Sequence, residues 1–249
     1  MLLTKTKPIN ITETGKGKEI IGDNLVETTY CDYSHPAVSV LSEKFVQDSK
    51  DEVDLIEKIF LFVRDRIIFG GDHWQVKASV TLSKGYGACF NKNLLMIALL
   101  RAAKIPSKLM ANPLSNSFTK PSVGGVYVFF SDPFYHCFTH VLMNGCWISI
   151  DPTLDRTTYE TFFKPAGVKW RIDWDRKSDM LLYSESVAGP AREYPNIDEA
   201  LNKNLDSYFM FKHEPKFLRS MWLCMGNRKM WKNTQRFHKN SLKKKRTTT

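Results

Sequence analysis

Long apolar runs are missing from this chain of 249 residues. No stretch approaches the ~20 consecutive apolar residues that a membrane-spanning helix needs. The opening residues Met1–Lys7 are basic, and no apolar segment of the kind found in secretory signals follows them. The sequence therefore predicts a globular protein with one substantial core, and we expect it in the cytoplasm.

Paired cysteines are also missing. The five cysteines are scattered, without a Cys-x-x-Cys pair: Cys31, Cys89, Cys137, Cys146 and Cys224. This pattern argues against a disulfide framework and against a zinc ribbon. A reducing compartment suits such a chain, and the sequence predicts neither a metal ion nor a cofactor.

Acidic residues are scarce only towards the C-terminal end. Residues 201–249 contain 13 lysines and arginines against 2 acidic residues, a net charge of +11, whereas residues 1–200 contain 23 against 24, a net charge of −1. Apolar residues in the basic segment share one side of a predicted helix: Phe217, Leu218, Met221, Trp222 and Met225. We expect a docked basic helix with a frayed tail, or else a tail that contacts an anionic membrane surface or nucleic acid, although no base-reading motif is present.

One cysteine lies where a glycine-rich turn leads into a helix. Gly85 and Gly87 permit a sharp turn, and the apolar residues beyond Phe90 recur at helical spacing: Leu94, Leu95, Ala98, Leu99 and Ala102. Cys89 thus lies at the first helical turn, where free backbone N–H groups and the helix dipole favour an anion. The thiol should ionise readily and act as a nucleophile, with its own amide facing the oxyanion. A small buried cysteine without a chemical role is the alternative interpretation.

A β-hairpin is predicted around Asn144–Gly145, because this pair favours a two-residue turn between β-prone runs. The turn sets the register of opposed residues: Met143 with Cys146, His140 with Ser149, Phe138 with Asp151, and His136 with Thr153. Both histidines and Asp151 then lie on one face of the hairpin, and Cys137 and Cys146 lie on the other.

On that face, Asp151 is a diagonal neighbour of both His136 and His140 at roughly 7–8 Å, which long side chains can bridge. A carboxylate that orients an imidazole is what a cysteine nucleophile requires of its base. The two histidines are about 13 Å apart along a strand, which makes a shared metal ion improbable. The hairpin alone does not choose between them, and His73, in the connection before the cysteine turn, is a weaker rival.

At this point the chain resembles the transglutaminase-like cysteine enzymes of the papain-like clan. Three blocks carry the resemblance: Gly87-Ala88-Cys89 with the helix that ends Leu100-Arg101-Ala102-Ala103-Lys104-Ile105-Pro106, then His136-Cys137-Phe138, and then Trp147 to Thr153 with its Asp151-Pro152-Thr153. It departs from the family pattern at Lys104, where glycine is usual, and at His140, where an acidic or polar residue is usual.

The resemblance implies an α+β papain/transglutaminase-like core in which the nucleophile lies at a helix N-terminus packed on an antiparallel sheet. It implies a Cys-His-Asp triad in which Cys89 attacks an amide carbonyl, His136 transfers protons and Asp151 holds the imidazole. The oxyanion donors would be the Cys89 amide and the side chain of Gln75 or Trp74. The expected substrate is a protein or peptide amide, with water or an amine as acceptor.

Three regions follow from this interpretation. Residues 1–33 would form a β-rich extension that includes the β-prone run Leu25–Tyr30, residues 34–190 the catalytic domain, and residues 191–249 a basic helical segment with its tail. The rival hypothesis is a catalytically silent binding module that keeps the fold and recruits partners through the basic segment.

Overall fold

The computed structural model describes residues 22–194, 197–199 and 216–247. Its helices are α1 (Pro36–Asp48), α2 (Glu52–Arg66), α3 (Ala78–Lys84), α4 (Cys89–Ala102), α5 (Lys120–Val123), α6 (Arg156–Thr158) and α7 (Lys216–Thr247). Its strands are β1 (Ile68–Phe69), β2 (Tyr86–Gly87), β3 (Ser107–Leu114), β4 (Phe134–Met143), β5 (Cys146–Ile150) and β6 (Arg192–Tyr194). Among the helices in these ranges, none is long and apolar enough to cross a membrane.

Helix α4 is the centre of the fold. All of its residues from Cys89 to Arg101 are buried, because α1, α2 and α3 pack on one side of it and strands β3 and β4 on the other. The sequence predicts a single apolar stripe, but the helix is covered around its whole circumference. The buried polar side chains are therefore hydrogen-bonded within the protein, as when Lys92 Nζ donates to the carbonyls of Arg64 and Ile67 at 2.9 and 2.6 Å.

The main sheet is antiparallel with strand order β5-β4-β3-β6, and β1 and β2 form a separate parallel pair. The α+β class, with a helix N-terminus packed on an antiparallel sheet, is thereby confirmed. One end of α4 is set by the pair β1 and β2, since β2 runs directly into the turn before Cys89.

The predicted hairpin is confirmed where β4 and β5 pair. Met143 faces Cys146 and His140 faces Ser149, as the register requires. Both turn residues have positive φ, 51° at Asn144 and 79° at Gly145, which is the type I′ conformation. Asp151 lies just beyond the last paired residue of β5.

The N-terminal extension contains no strand within its described part, residues 22–33, so the strand prediction for Leu25–Tyr30 is wrong. One reason is that several backbone groups of this run bond to side chains and so are not available to a neighbouring strand. Asp198 accepts from the amides of Thr29 and Tyr30 at 2.8 and 3.2 Å, and Arg101 donates to the Val26 carbonyl at 2.6 Å. The rest of that prediction concerns residues 1–21, outside the described residues.

Two details of the C-terminal segment also differ from prediction. Residues 193 and 194 begin a helix predicted over Glu193–Leu201, but they lie in β6, because Arg192–Tyr194 pairs with Leu109, Met110 and Ala111 of β3. The predicted frayed tail, Lys243–Arg246, lies within α7. The domain division at residue 191 stays a prediction, although β6 joins the main sheet from beyond it.

Candidate active site

The thiol of Cys89 lies at the start of α4, held by a tight turn. Gly85 has φ 69°, and a side chain at Gly87 would come within 2.7 Å of the Asn91 Cβ. Asn91 Oδ1 accepts from the Ala88 amide at 3.0 Å, while Asn91 Nδ2 donates to the His73 carbonyl at 2.8 Å. The glycines therefore let the turn approach α4 closely, and Asn91 fixes it there.

His136 contacts both of its predicted partners. Its Nε2 lies 2.6 Å from Asp151 Oδ2, and the imidazole also hydrogen-bonds to the thiol of Cys89. Asp151 Oδ1 accepts from the Thr153 amide at 3.0 Å, so the carboxylate is held from both sides. All three side chains of the set are buried.

The environment of His136 favours the imidazolium form. Burial lowers the pKa of His136, but the charge and hydrogen bond of Asp151 together with the contact to Cys89 outweigh it and raise the pKa to about 10. The histidine therefore keeps a proton at neutral pH, which favours a thiolate at the sulfur that it faces. This is the arrangement of an activated cysteine nucleophile.

His140, the other candidate base, contacts residues outside the set of Cys89, His136 and Asp151. Its Nε2 lies 2.8 Å from Ser149 Oγ, and Lys108 is its direct partner on β3. Burial and then the charge of Lys108 lower the pKa of His140, so this environment opposes protonation. The weaker rival His73 also points away, with its Nε2 2.9 Å from Ser220 Oγ of α7.

Two side chains that sequence reasoning did not include adjoin the set. Cys137, which the hairpin register predicts on the face opposite His136, hydrogen-bonds to Cys89 in the structure. Burial together with this bond raises the pKa of the Cys137 thiol well above its usual value. The ring of Tyr183 meets the imidazole of His136 edge-on, with centroids 4.6 Å apart. Tyr183 is packed between Trp170 and Phe118, and no local pattern in the sequence signals this contact.

Asn93 joins the elements that carry the set. Its Nδ2 donates to the carbonyls of Cys89 and Cys137, each at 2.9 Å, and to Thr153 Oγ1 at 3.2 Å. Its Oδ1 accepts from Thr139 Oγ1 at 2.8 Å. The amide of one buried residue thus connects helix α4, strand β4 and the loop after Asp151. The available signal was the polar run Asn91-Lys92-Asn93 directly before the apolar part of the helix.

The two predicted oxyanion side chains occupy different surroundings. Trp74 is buried and stacks on Phe90, the residue after Cys89, with ring centroids 5.3 Å apart. Gln75 is exposed. The described residues contain no group of three or more His, Cys, Asp or Glu side chains that could hold a metal ion.

Comparison with known proteins agrees with the motifs. Residues 39–152 match the sequence model of the transglutaminase-like superfamily, and the resemblance drawn from the three blocks is confirmed. The matched range contains Cys89, His136 and Asp151. No curated protein matches the chain.

Several solved structures are similar to part of the chain. A candidate cysteine protease from Cytophaga hutchinsonii is 20% identical with TM-score 0.45, covering 57% of this chain and 43% of that one. The periplasmic domain of TgpA from Pseudomonas aeruginosa, bound to ethylmercury, is 15% identical with TM-score 0.40 and coverages of 61% and 52%. Red sea bream transglutaminase is 16% identical with TM-score 0.33 and coverages of 54% and 26%. The chain thus spans about half or less of the length of these proteins.

Proposed function

We propose that this chain, which matches the transglutaminase-like superfamily over residues 39–152, is a cysteine enzyme that transfers or hydrolyses acyl groups through a cysteinyl thioester. The observation that carries the proposal is that one buried imidazole, His136, contacts the Cys89 thiol and the Asp151 carboxylate at once. The cytoplasm, which is reducing, suits a catalytic thiol of this kind.

The reaction begins from the thiolate and the imidazolium. The Cys89 sulfur attacks the carbonyl carbon of an amide, and the carbonyl electron pair moves onto its oxygen. When the intermediate collapses, the C–N bond breaks and the imidazolium of His136 gives its proton to the leaving amine. The acyl group is now held as a thioester, and His136 is neutral.

In the second half of the reaction, the acyl group passes from Cys89 to a new acceptor. Water or an amine attacks the thioester carbonyl, neutral His136 takes the acceptor's proton, and Cys89 leaves as the thiolate. Water yields a carboxylic acid and an amine yields a new amide. In both halves the Cys89 amide at the N-terminus of α4 is the proposed donor to the oxyanion, with Trp74 or Gln75 as the second. The proposed substrate is a protein or peptide amide.

Alkylation by iodoacetamide tests the nucleophile. Near neutral pH, Cys89 should react at least ~10-fold faster than Cys146 and Cys224, although those two side chains are exposed, because thiolate content outweighs access. Cys31 is the matched buried control, since burial raises the pKa of its thiol to about 12 and should leave it unlabelled in the folded protein. Peptide mass spectrometry of a time course gives the alkylation rates. Equal rates for Cys89 and Cys146 would contradict the assignment of Cys89 as the nucleophile.

A second measurement separates an enzyme from a silent binding module. The folded protein, mixed with p-nitrophenyl acetate, should accumulate an acetyl group on the Cys89 peptide and release it over time. If Cys89 is alkylated quickly but is never acylated, the thiol is reactive but the protein does not catalyse acyl transfer. That result would favour the binding-module hypothesis.

The raised pKa of His136 predicts the alkaline limit of activity. Because the imidazole keeps its proton up to about pH 10, the single-turnover rate on an acyl p-nitroanilide should hold from neutral pH and fall above about pH 10 as the acid for the leaving amine is lost. The unfolded histidine loses its proton near 6.5, so the contribution of His136 to the free energy of unfolding should also shrink between 6.5 and about 10. An alkaline limit near 6.5 would contradict the imidazolium assignment.

A further inference from the structure

Helix α7 is a cationic element with no counter-charge of its own. Residues 216–247 contain eleven lysines and arginines and no aspartate or glutamate. Most helical surfaces mix the two signs, and a segment of one sign attracts a partner of the opposite sign.

One side of α7 is docked on the protein beside the cysteine turn. The amide group of Asn227 exchanges two hydrogen bonds of 2.8 Å with the backbone of Gly71. Trp231 donates to the Phe69 carbonyl at 3.2 Å, and its ring lies 5.2 Å from that of Tyr86 in β2. Because β2 runs into the turn before Cys89, α7 is attached close to the candidate active site.

The opposite side of α7, its outer face, is exposed and carries both apolar and basic side chains. Met221, Trp222 and Met225 are 48%, 57% and 57% exposed and lie within two turns of one another. One to three turns further along, the same side carries exposed basic residues: Arg228, Lys229, Lys232 and Arg236. The spacing Met221, Met225, Lys229, Lys232, Arg236 keeps these residues on one line along the helix.

We propose that the outer face of α7 binds the surface of an anionic lipid bilayer. A helix with tryptophan and methionine beside a row of lysines and arginines matches the boundary between acyl chains and negatively charged headgroups, where the apolar side chains enter the boundary and the cations stay at the headgroups. A nucleic-acid backbone would satisfy the cations but leave the two methionines in water.

The two sides of α7 then bind different partners, the protein on one side and the bilayer on the other. The side that holds Asn227 and Trp231 stays on the protein, so the helix lies in the plane of the surface. Binding in this orientation would bring the turn before Cys89 close to the bilayer. This inference is independent of the proposed reaction, since it rests on residues that take no part in it.

Co-sedimentation of the full chain with vesicles tests the proposal. The protein should bind phosphatidylcholine vesicles containing ~30% phosphatidylglycerol and bind pure phosphatidylcholine vesicles far less. Lys229→Glu with Lys232→Glu should weaken the binding by ~30-fold or more, from the loss of two cations at the surface. Met221→Ser, Trp222→Ser and Met225→Ser together should weaken it by at least ~10-fold, because the buried apolar area is lost.

Matched controls distinguish the effect of the outer face on vesicle binding from the effects of total charge and total hydrophobicity. Lys44→Glu with Lys177→Glu makes the same change in net charge at exposed positions off α7, and Val40→Ser removes an exposed apolar side chain of α1. Both should bind vesicles like the parent protein. Thermal unfolding of each variant checks that the fold is retained.

Three results would overturn the proposal. The first is equal binding to neutral and anionic vesicles, and the second is equal loss in the Lys44/Lys177 control, which would show attraction by net charge alone. The third is full binding by the Met221/Trp222/Met225 variant together with tighter binding to a DNA duplex than to vesicles at ~0.15 M salt, which would assign the basic face to nucleic acid.

Discussion

Replacing His136 with glutamine is expected to lower the rate of Cys89 acylation by at least ~100-fold, the usual effect of removing a general acid-base group. Glutamine can still hydrogen-bond, but it neither carries the charge that stabilises a thiolate nor exchanges a proton. Because His136 is the residue that bridges Cys89 and Asp151, no neighbouring side chain of the described site replaces it.

His140→Gln is the matched control for this experiment. It makes the same substitution four residues further along the same strand, at a side chain that bonds to Ser149 Oγ and not to Asp151. It should retain most of the acylation rate, measured as burst kinetics with an activated ester. An inactive His140 variant together with an active His136 variant would show that the general base has been assigned to the wrong histidine.

Asp151→Asn should fall between the parent and the His136 variant. The imidazole keeps a hydrogen-bond partner, but it loses the charge that helps to raise its pKa to about 10. The alkaline limit of the rate should therefore move to lower pH in this variant. An unchanged limit would mean that Asp151 does not set the protonation of His136.

Replacing Asn93 with leucine is expected to lower the free energy of unfolding by about 3 kcal/mol, because buried hydrogen-bonding groups lose their partner. Asn93 has no exposed surface and makes four hydrogen bonds, to the carbonyls of Cys89 and Cys137 and to the hydroxyls of Thr139 and Thr153. The Thr139 hydroxyl is itself fully buried, so water does not replace the lost acceptor. Urea denaturation followed by circular dichroism measures the change.

Asn116→Ala provides a control of the same residue type. Its side chain bonds to the Phe130 carbonyl at 3.1 Å from the first residue of a short, partly exposed 3-10 helix, so a loss of ~1 kcal/mol or less is expected. If both variants lose the same small amount, Asn93 is not the connection between α4 and β4 that the geometry indicates. Reduced acylation by a folded Asn93 variant would show that this connection also positions the nucleophile.

The elements that the sequence predicted well are those whose cause is local. The glycine turn before Cys89 and the Asn144–Gly145 hairpin each depend on backbone preferences of neighbouring residues, so pattern and structure agree. The hairpin register also follows from its turn, which is why Asp151 could be placed near both histidines. The strand prediction for Leu25–Tyr30 failed because β-propensity by itself does not provide a neighbouring strand.

The family pattern favours His136 at a point where the hairpin alone left two candidates. In the structure, Asp151 contacts His136 because β5 runs antiparallel to β4 and the chain continues past Ile150 towards the start of β4, where α4 brings Cys89. His140, in the middle of the pairing, has Lys108 and Ser149 as neighbours. The choice between His136 and His140 therefore depends on residues far apart in sequence. Residue spacing within the hairpin carries no information about those contacts.

By itself the sequence determined the turn and helix that carry Cys89, the hairpin register and the basic character of the C-terminal segment, because these follow from short-range backbone preferences and from composition. The α+β class was implied by the resemblance of the three motif blocks to a known family. Only the tertiary structure decided that α4 is buried on all sides, that Asn93, Cys137 and Tyr183 adjoin the site, and which side of α7 faces outward. Those features arise from packing between segments distant in the chain, and packing is settled by the shape and polarity of all the partners at once.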